Sequence, residues 1–107
     1  MIWQVDYATR RGMIWVIVLD PASGQHVVRH MAGINASLAA LLDDARAQLG
    51  GNPDAIETDN GFGPIRTALY AQALERGISL HRRPLQMGAR HRAAEAVLHR
   101  FLEGLRG

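Results

Sequence analysis

The sequence predicts an α/β domain built on a five-stranded mixed sheet, with its elements in the order β-β-β-α-β-α-β-α. Residues 2–31 contain three strand-like stretches separated by short turns, whereas residues after 33 alternate helical periodicity with short apolar stretches. Three consecutive strands joined by short turns form an antiparallel meander. Strands reached through helical crossovers run parallel, so the fourth strand is predicted to lie parallel to the first.

The three strands of the meander differ in pattern. In residues 2–7, apolar side chains alternate with Gln4 and Asp6, which is typical of a strand with one buried face and directs Asp6 away from Trp3 and Tyr7. Residues 13–19 are apolar throughout and rich in β-branched side chains, as expected of a central strand covered on both faces. Turns at 10–12 and 20–24 lead to a third strand at 25–31.

The first helix is predicted after Gly33, where apolar residues at 38, 41, 42, 45 and 49 lie on one helical face. Asn35 or Ser37 could cap its beginning, and the glycines at 50 and 51 would end it.

Two more helices and two short strands complete the order. A strand at 55–58 ends just before Asp59, and a second helix begins near Pro64 and ends at Gly77. A fifth strand covers 78–80, and residues 82–88 resemble a loop. The last helix begins near Arg90, and Glu95 is expected at the rim of its apolar face.

Length and composition place limits on function. A chain of 107 residues that is 48% hydrophobic supports one domain over residues 1–107. No apolar stretch reaches the ~18 residues of a membrane span, so no membrane association is expected. The absence of cysteine excludes disulfides and thiolate-bound metals. All 12 basic residues are arginine, and the clusters at 10–11, 82–83 and 90–92 could bind phosphates or could equally form solvated surface.

Three carboxylates distant in sequence are the main functional signal. Asp6 lies in the first strand, Asp59 follows the fourth, and Glu95 lies on the last helix. Converging carboxylates repel one another unless a hard cation lies among them, so convergence would predict a magnesium or manganese site and phosphoryl-transfer chemistry. The alternatives are aspartates that form solvated turns and a glutamate paired with Arg92, three residues earlier on the helix.

The chain resembles the catalytic cores of retroviral integrases and bacterial insertion-sequence transposases, a branch of the ribonuclease H-like fold. The matching residues are 3–7 (WQVDY), 16–20 (VIVLD) with Ser23, 58–61 (TDNG), 77–78 (GI) and Glu95. Thirty-five residues separate Asp59 from Glu95, which is the typical spacing of that family. The resemblance covers nearly the whole chain and implies a ribonuclease H-like sheet with helices on both faces.

The resemblance implies a polynucleotidyl transferase core for DNA integration or transposition. Asp6, Asp59 and Glu95 would be catalytic and would hold two Mg²⁺ or Mn²⁺ ions for phosphodiester cleavage and strand transfer. The residues expected to contact DNA are Asn60, Arg90, His91 and Arg92. The other histidines are interpreted as surface residues.

The assignment of the third acidic residue has two possible registers. Family members usually carry a small residue three positions before the glutamate and often a basic residue after it, whereas this chain has Arg92 and Ala96 there. The family's Gln-x-Gly motif resembles residues 86–88, and that register would put His91 at the acidic position and imply a damaged site. The 35-residue spacing favours Glu95.

Two alternative functions stay open. One is a ribonuclease H-like nuclease that hydrolyses without joining strands, and the other is a noncatalytic transposase remnant that acts as an assembly or DNA-binding module. The resemblance also implies a homodimer, a separate DNA-recognition module in a longer parent protein, and a bacterial cytoplasmic location at the nucleoid. An isolated core of this kind could be inactive and would bind DNA with little sequence preference.

Overall fold

The computed structural model describes residues 1–58, 63–82 and 88–105, and it describes no side chains at 63–64, 82 and 88–92. The elements are β1 (Ile2–Arg10), β2 (Met13–Leu19), β3 (His26–His30), α1 (Ile34–Gln48), β4 (Ala55–Thr58), α2 (Gly63–Arg76), β5 (Ser79–Arg82) and α3 (Gly88–Gly104). This order confirms the predicted one.

The five strands form one open mixed sheet in the order β3-β2-β1-β4-β5. β1 pairs antiparallel with β2, and β2 pairs antiparallel with β3. β1 pairs parallel with β4, and β4 pairs parallel with β5. The predicted meander and the parallel fourth strand are both confirmed. The central strand is β1, however, because the helical crossover α1 carries the chain past the meander to the free edge of β1.

Two apolar clusters cover the two faces of the sheet. Alternate residues of β2 divide between them, because successive side chains of a strand point to opposite faces. Val16 and Val18 join the larger cluster with α1 and α2, whereas Ile17 and Leu19 join the smaller cluster with α3. The strand that is apolar throughout is therefore covered on both faces, as its composition predicts. Helices α1 and α2 cover one face and α3 the other.

The connection between β1 and β2 is a two-residue hairpin. Arg11 and Gly12 both have positive φ, at 53° and 77°. A type I′ turn requires positive φ at both central residues, and its twist matches that of the flanking strands. The tight turn lets β1 continue to Arg10, three residues beyond the predicted end at residue 7.

The C-terminal end of α1 is as predicted, whereas the capping of its N-terminal end is not. The N-cap is Gly33 without a side-chain cap, so the expected capping by Asn35 or Ser37 is wrong. Ser37 lies one turn inside the helix, where its Oγ accepts a hydrogen bond from the Gly33 N–H at 3.3 Å. At the other end, Gly50 and Gly51 have φ of 89° and 121° and end the helix as predicted.

The remaining boundaries shift by a few residues. α2 ends before Gly77, whose φ of 69° is suited to glycine, as predicted. β5 runs to Arg82 and α3 begins at Gly88, so both end residues of the predicted loop over 82–88 belong to regular elements, and residues 83–87 lie outside the described ranges. In the described ranges, no helix is long and apolar enough to cross a bilayer.

Two leucines of α2 provide a matched test of the larger cluster. Leu69 is 1% exposed within it, whereas Leu74 is 74% exposed on the outer side of the same helix. Leu69→Ala is expected to lower the free energy of unfolding by about 2–5 kcal/mol through lost burial and a cavity. Leu74→Ala should change it by less than about 0.5 kcal/mol. Urea denaturation measures both, and equal effects would contradict the packing described here.

Candidate active site

Asp6 lies on the central strand with its side chain on the face that α3 covers. Its neighbours on β1, Trp3 and Val5, belong to the cluster on the opposite face. Asp6 is 9% exposed, and its Oδ1 accepts a hydrogen bond from the backbone N–H of Tyr7 at 2.8 Å. The alternation of β1 directs Asp6 away from Trp3, as the sequence predicts, but α3 covers this face as well, so the carboxylate is mostly buried.

Asp6 and Glu95 line the same cleft. The cleft has a volume of about 280 Å³ and is lined by Asp6, Tyr7, Ala8, Glu95, Leu98 and His99. Its two walls come from β1 and from α3, which lies across β1 and β2. Two carboxylates separated by most of the chain thus lie in one opening of the surface.

The packing of α3 explains why Glu95 faces this cleft. Ala94, Leu98 and Leu102 recur every four residues and pack against Ile17 and Leu19 of β2. Glu95 follows Ala94 at the edge of this apolar stripe, where the side chain is exposed. No cationic side chain of the described residues forms an ion pair with Glu95. The helix therefore presents Glu95 to solvent at the cleft.

The strand that leads to Asp59 is the parallel neighbour of β1. Gln4 pairs with Glu57, so Glu57 lies on the same face as Gln4 and Asp6. β4 ends at Thr58, and both Asp59 and Asn60 lie outside the described residues. Along the chain, Asp59 follows Glu57 by two positions, as Asp6 follows Gln4.

The remaining predicted DNA contacts lie in the first turns of α3. The helix includes Arg90, His91 and Arg92, whose side chains are outside the description. The structure therefore brings together Asp6 and Glu95 of the predicted site. It gives no position for the side chains of the other predicted residues, including His91, the competitor of Glu95 in the second register.

Three residues near the site were not singled out as functional from the sequence. His99 lines the cleft one helical turn after Glu95, although it was interpreted as a surface residue. Glu95 and His99 are four residues apart, so the sequence places them on the same face of α3. It does not show that this face borders β1. Gln4 and Glu57 are buried on the same face, 0% and 9% exposed, and the sequence offers no signal that strand residues of this type are buried.

Asp20, part of the family resemblance, has a structural role. Its two carboxylate oxygens accept hydrogen bonds from the Ala22 N–H at 3.1 Å and from the Ser23 hydroxyl at 2.9 Å. Its backbone N–H donates to the Gln25 carbonyl at 2.9 Å. Asp20 and Ser23 thus organise the turn between β2 and β3, and neither lines the cleft.

The donor set of the cleft is compatible with a hard divalent cation. Asp6 and Glu95 supply carboxylate oxygens, the ligands that Mg²⁺ and Mn²⁺ prefer. Two carboxylates from the protein, with water and substrate oxygens, are a common ligand set for Mg²⁺. Within the part of the chain that the structure describes, no three acidic or histidine side chains form a metal-binding group.

Comparison with known proteins leaves the family of the chain open. No protein-family model matches the sequence, and no curated protein is significantly similar to it.

Glu95 and Leu98 provide a matched test of whether the glutamate serves the fold. Glu95→Gln is expected to change the free energy of unfolding by less than about 0.5 kcal/mol, because the side chain is exposed and lacks an ion pair with the described residues. Leu98→Ala, 1% exposed in the wild type, should lower it by about 2–5 kcal/mol. Chemical denaturation of both variants measures the difference. A Glu95→Gln variant as unstable as Leu98→Ala would show that Glu95 has a structural role.

Proposed function

We propose that the chain is a polynucleotidyl transferase core that uses Asp6, Asp59 and Glu95 as a two-metal site for DNA integration or transposition. The observation that carries this proposal is the shared cleft of Asp6 and Glu95, which come from the central strand and the last helix. If Asp6 only formed a solvated turn and Glu95 only lay on a helix surface, the two would not be expected to line one cleft. The 35-residue spacing from Asp59 to Glu95 adds independent support.

The sheet supports the ribonuclease H-like part of the proposal. That fold was expected to combine an antiparallel β1-β2-β3 meander, parallel β4 and β5, and helices on both faces. The observed sheet has these features. The resemblance and the topology are separate arguments, because the topology follows from pairing registers and the resemblance from residue identities.

The parallel pairing of β1 and β4 is the reason for including Asp59 in the proposed site. Gln4 and Glu57 are paired, and the two aspartates each follow by two positions. Parallel neighbours that continue in register present equivalent positions on the same face of the sheet. Under the proposal, Asp59 would lie beside Asp6 on that face, and Glu95 would approach both from α3.

The three side chains would have different roles in binding the metal ions. Asp6 and Asp59 would hold the two cations, and Glu95 would supply a further carboxylate ligand to the second cation. Bound there, Mg²⁺ or Mn²⁺ supplies the Lewis acidity that activates a water or DNA 3′-hydroxyl and stabilises the departing 3′-oxygen in an in-line displacement. The exposed position of Glu95 suits a ligand that must also admit a phosphodiester from solvent.

Neighbouring groups on α3 would hold the DNA backbone. His99 lines the cleft, and an imidazole N–H there can donate to a phosphate oxygen. Arg90, His91 and Arg92 precede Glu95 on the same helix and can supply further donors to phosphates. These contacts would position a strand without reading its sequence.

Metal binding is the first consequence of the proposal. Calorimetric titration with MnCl₂ should give heat for the wild type and a loss of affinity of at least tenfold for Asp59→Asn and for Asp6→Asn, because each variant removes an anionic ligand. Asp43→Asn is the control, since Asp43 lies on α1 and pairs with Arg76 at 2.8 Å. Absence of binding to the wild type at millimolar manganese would favour the noncatalytic module and contradict the proposal.

Catalysis is the second consequence. With Mn²⁺ and a labelled duplex that presents a 3′-hydroxyl, the wild type should join that end to a target duplex. Asp6→Asn and Glu95→Gln should each lower the rate more than about 100-fold, because loss of a metal ligand exceeds the 10–100-fold effects of outer-shell partners. Gel analysis of the products separates joining from hydrolysis. Cleavage without any joined product would identify the hydrolytic alternative instead.

A further inference from the structure

Gln4 is a buried polar residue with no structural explanation in the fold. It is the third residue of the central strand β1 and is 0% exposed. Neither its carboxamide nitrogen nor its carboxamide oxygen has a hydrogen-bond partner among the residues that the structure describes. Buried polar groups are almost always hydrogen-bonded, because an unmade hydrogen bond loses solvation without compensation. An apolar side chain of the same length would serve the fold better at this position.

The surroundings of Gln4 connect it with the proposed site. One row of paired residues crosses all five strands on the face that carries Asp6, and it comprises His26, Leu19, Gln4, Glu57 and His81. Gln4 is thus flanked by Leu19 and by Glu57, which is itself buried. Asp6 is the next residue of β1 on this face, about 7 Å further along the strand. The carboxamide lies within the most acidic part of the sheet.

A carboxamide is suited to this position in a way that other side chains are not. Its –NH₂ group offers two neutral donors to carboxylate oxygens. An arginine or lysine would also donate, but its charge would compete with a divalent cation for the same carboxylates. Residues that hydrogen-bond to metal ligands from outside the first coordination sphere orient those ligands and raise metal affinity.

We propose that Gln4 is a positioning residue of the metal site, whose carboxamide N–H donates to a metal-ligating carboxylate on its face of the sheet, Asp6 being nearest along the strand. This inference rests on the proposed function, since it requires a cation at Asp6. Gln4 touches neither DNA nor the metal, and it acts by fixing the orientation of a ligand. The energy lost by burying an unpaired carboxamide in the free protein is recovered when the cation binds.

A matched pair of variants on one strand tests this proposal. Trp3 is also 0% exposed, and its indole Nε1 also has no partner in the described part of the chain, but it lies on the opposite face. Gln4→Met keeps the length of the side chain and removes both polar atoms. Trp3→Phe removes the other unpaired donor from the far side of the sheet. Each variant is compared with the wild type and with Asp6→Asn by manganese calorimetry and urea denaturation.

The expected result separates positioning from stability. Gln4→Met should raise the dissociation constant for Mn²⁺ by about tenfold or more while the midpoint of unfolding is unchanged or higher. Trp3→Phe should leave the dissociation constant unchanged. Wild-type affinity in Gln4→Met overturns the inference but not the proposed function, provided that Asp6→Asn abolishes binding. Equal losses in Gln4→Met and Trp3→Phe also overturn it, because the effect would then come from packing of the strand.

A measurement on the wild type covers the case in which Gln4→Met does not fold. In ¹⁵N-labelled protein, Mg²⁺ should slow hydrogen exchange of the Gln4 side-chain amide, since that group gains a carboxylate acceptor when the cation binds. An exchange rate unaffected by saturating Mg²⁺ overturns the inference. Failure of the wild type to bind Mn²⁺ or Mg²⁺ overturns both the inference and the proposed function.

Discussion

The register of β1 is the constraint on which the rest of the structure depends. Because side chains of a strand alternate between faces, a shift of one residue would turn Trp3 and Val5 out of the larger core and Asp6 into it. The two-residue hairpin fixes the register against β2, and the pairing of Gln4 with Glu57 fixes it against β4. The same alternation that builds the core therefore determines where a carboxylate emerges. The residues that β1 contributes to the larger core and the carboxylate of the candidate site therefore lie on opposite faces of the same strand.

The two apolar clusters differ in size. The cluster under α1 and α2 includes residues from every strand, whereas the smaller cluster joins Ala94, Leu98 and Leu102 of α3 to Ile17 and Leu19 of β2. A helix attached along one apolar stripe can present the polar residues beside that stripe to solvent. Glu95 and His99 occupy this position at the cleft. Under the proposed function, a phosphodiester would bind in this cleft between sheet and helix.

Much of the fold could be predicted because its signals are local. The alternation in residues 2–7, the continuous apolar run of β2 and the leucine spacing of α1 each determine an element without reference to the others. The parallel pairing of β1 and β4 followed from the crossover alone. Capping of α1 was mispredicted because Asn35 and Ser37 have favourable intrinsic preferences, but the turn after Met31 places Gly33 at the helix start. The path of the chain therefore determines where α1 begins, against the intrinsic capping preference of these two residues.

The candidate site could be predicted only in part, because its formation depends on contacts between distant elements. Asp6 followed from strand alternation, whereas the meeting of Glu95 with Asp6 depended on how α3 packs on the sheet. The patterns around His99 and Gln4 assign each residue to a face of its element but do not show what that face contacts. Their positions result from the rotation of α3 about its axis and from the pairing of three strands, which propensities do not encode.

A crystal structure of the chain grown with MnCl₂ tests the central claim most directly. Anomalous scattering locates manganese without reference to any assumed ligand. The account predicts manganese bound by carboxylate oxygens of Asp6, Asp59 and Glu95, at distances of about 2.0–2.2 Å typical of a small divalent cation. Gln4 should then lie within hydrogen-bonding distance of one of these ligands. Manganese bound elsewhere, or an ordered Asp59 directed away from Asp6 and Glu95, would contradict the account.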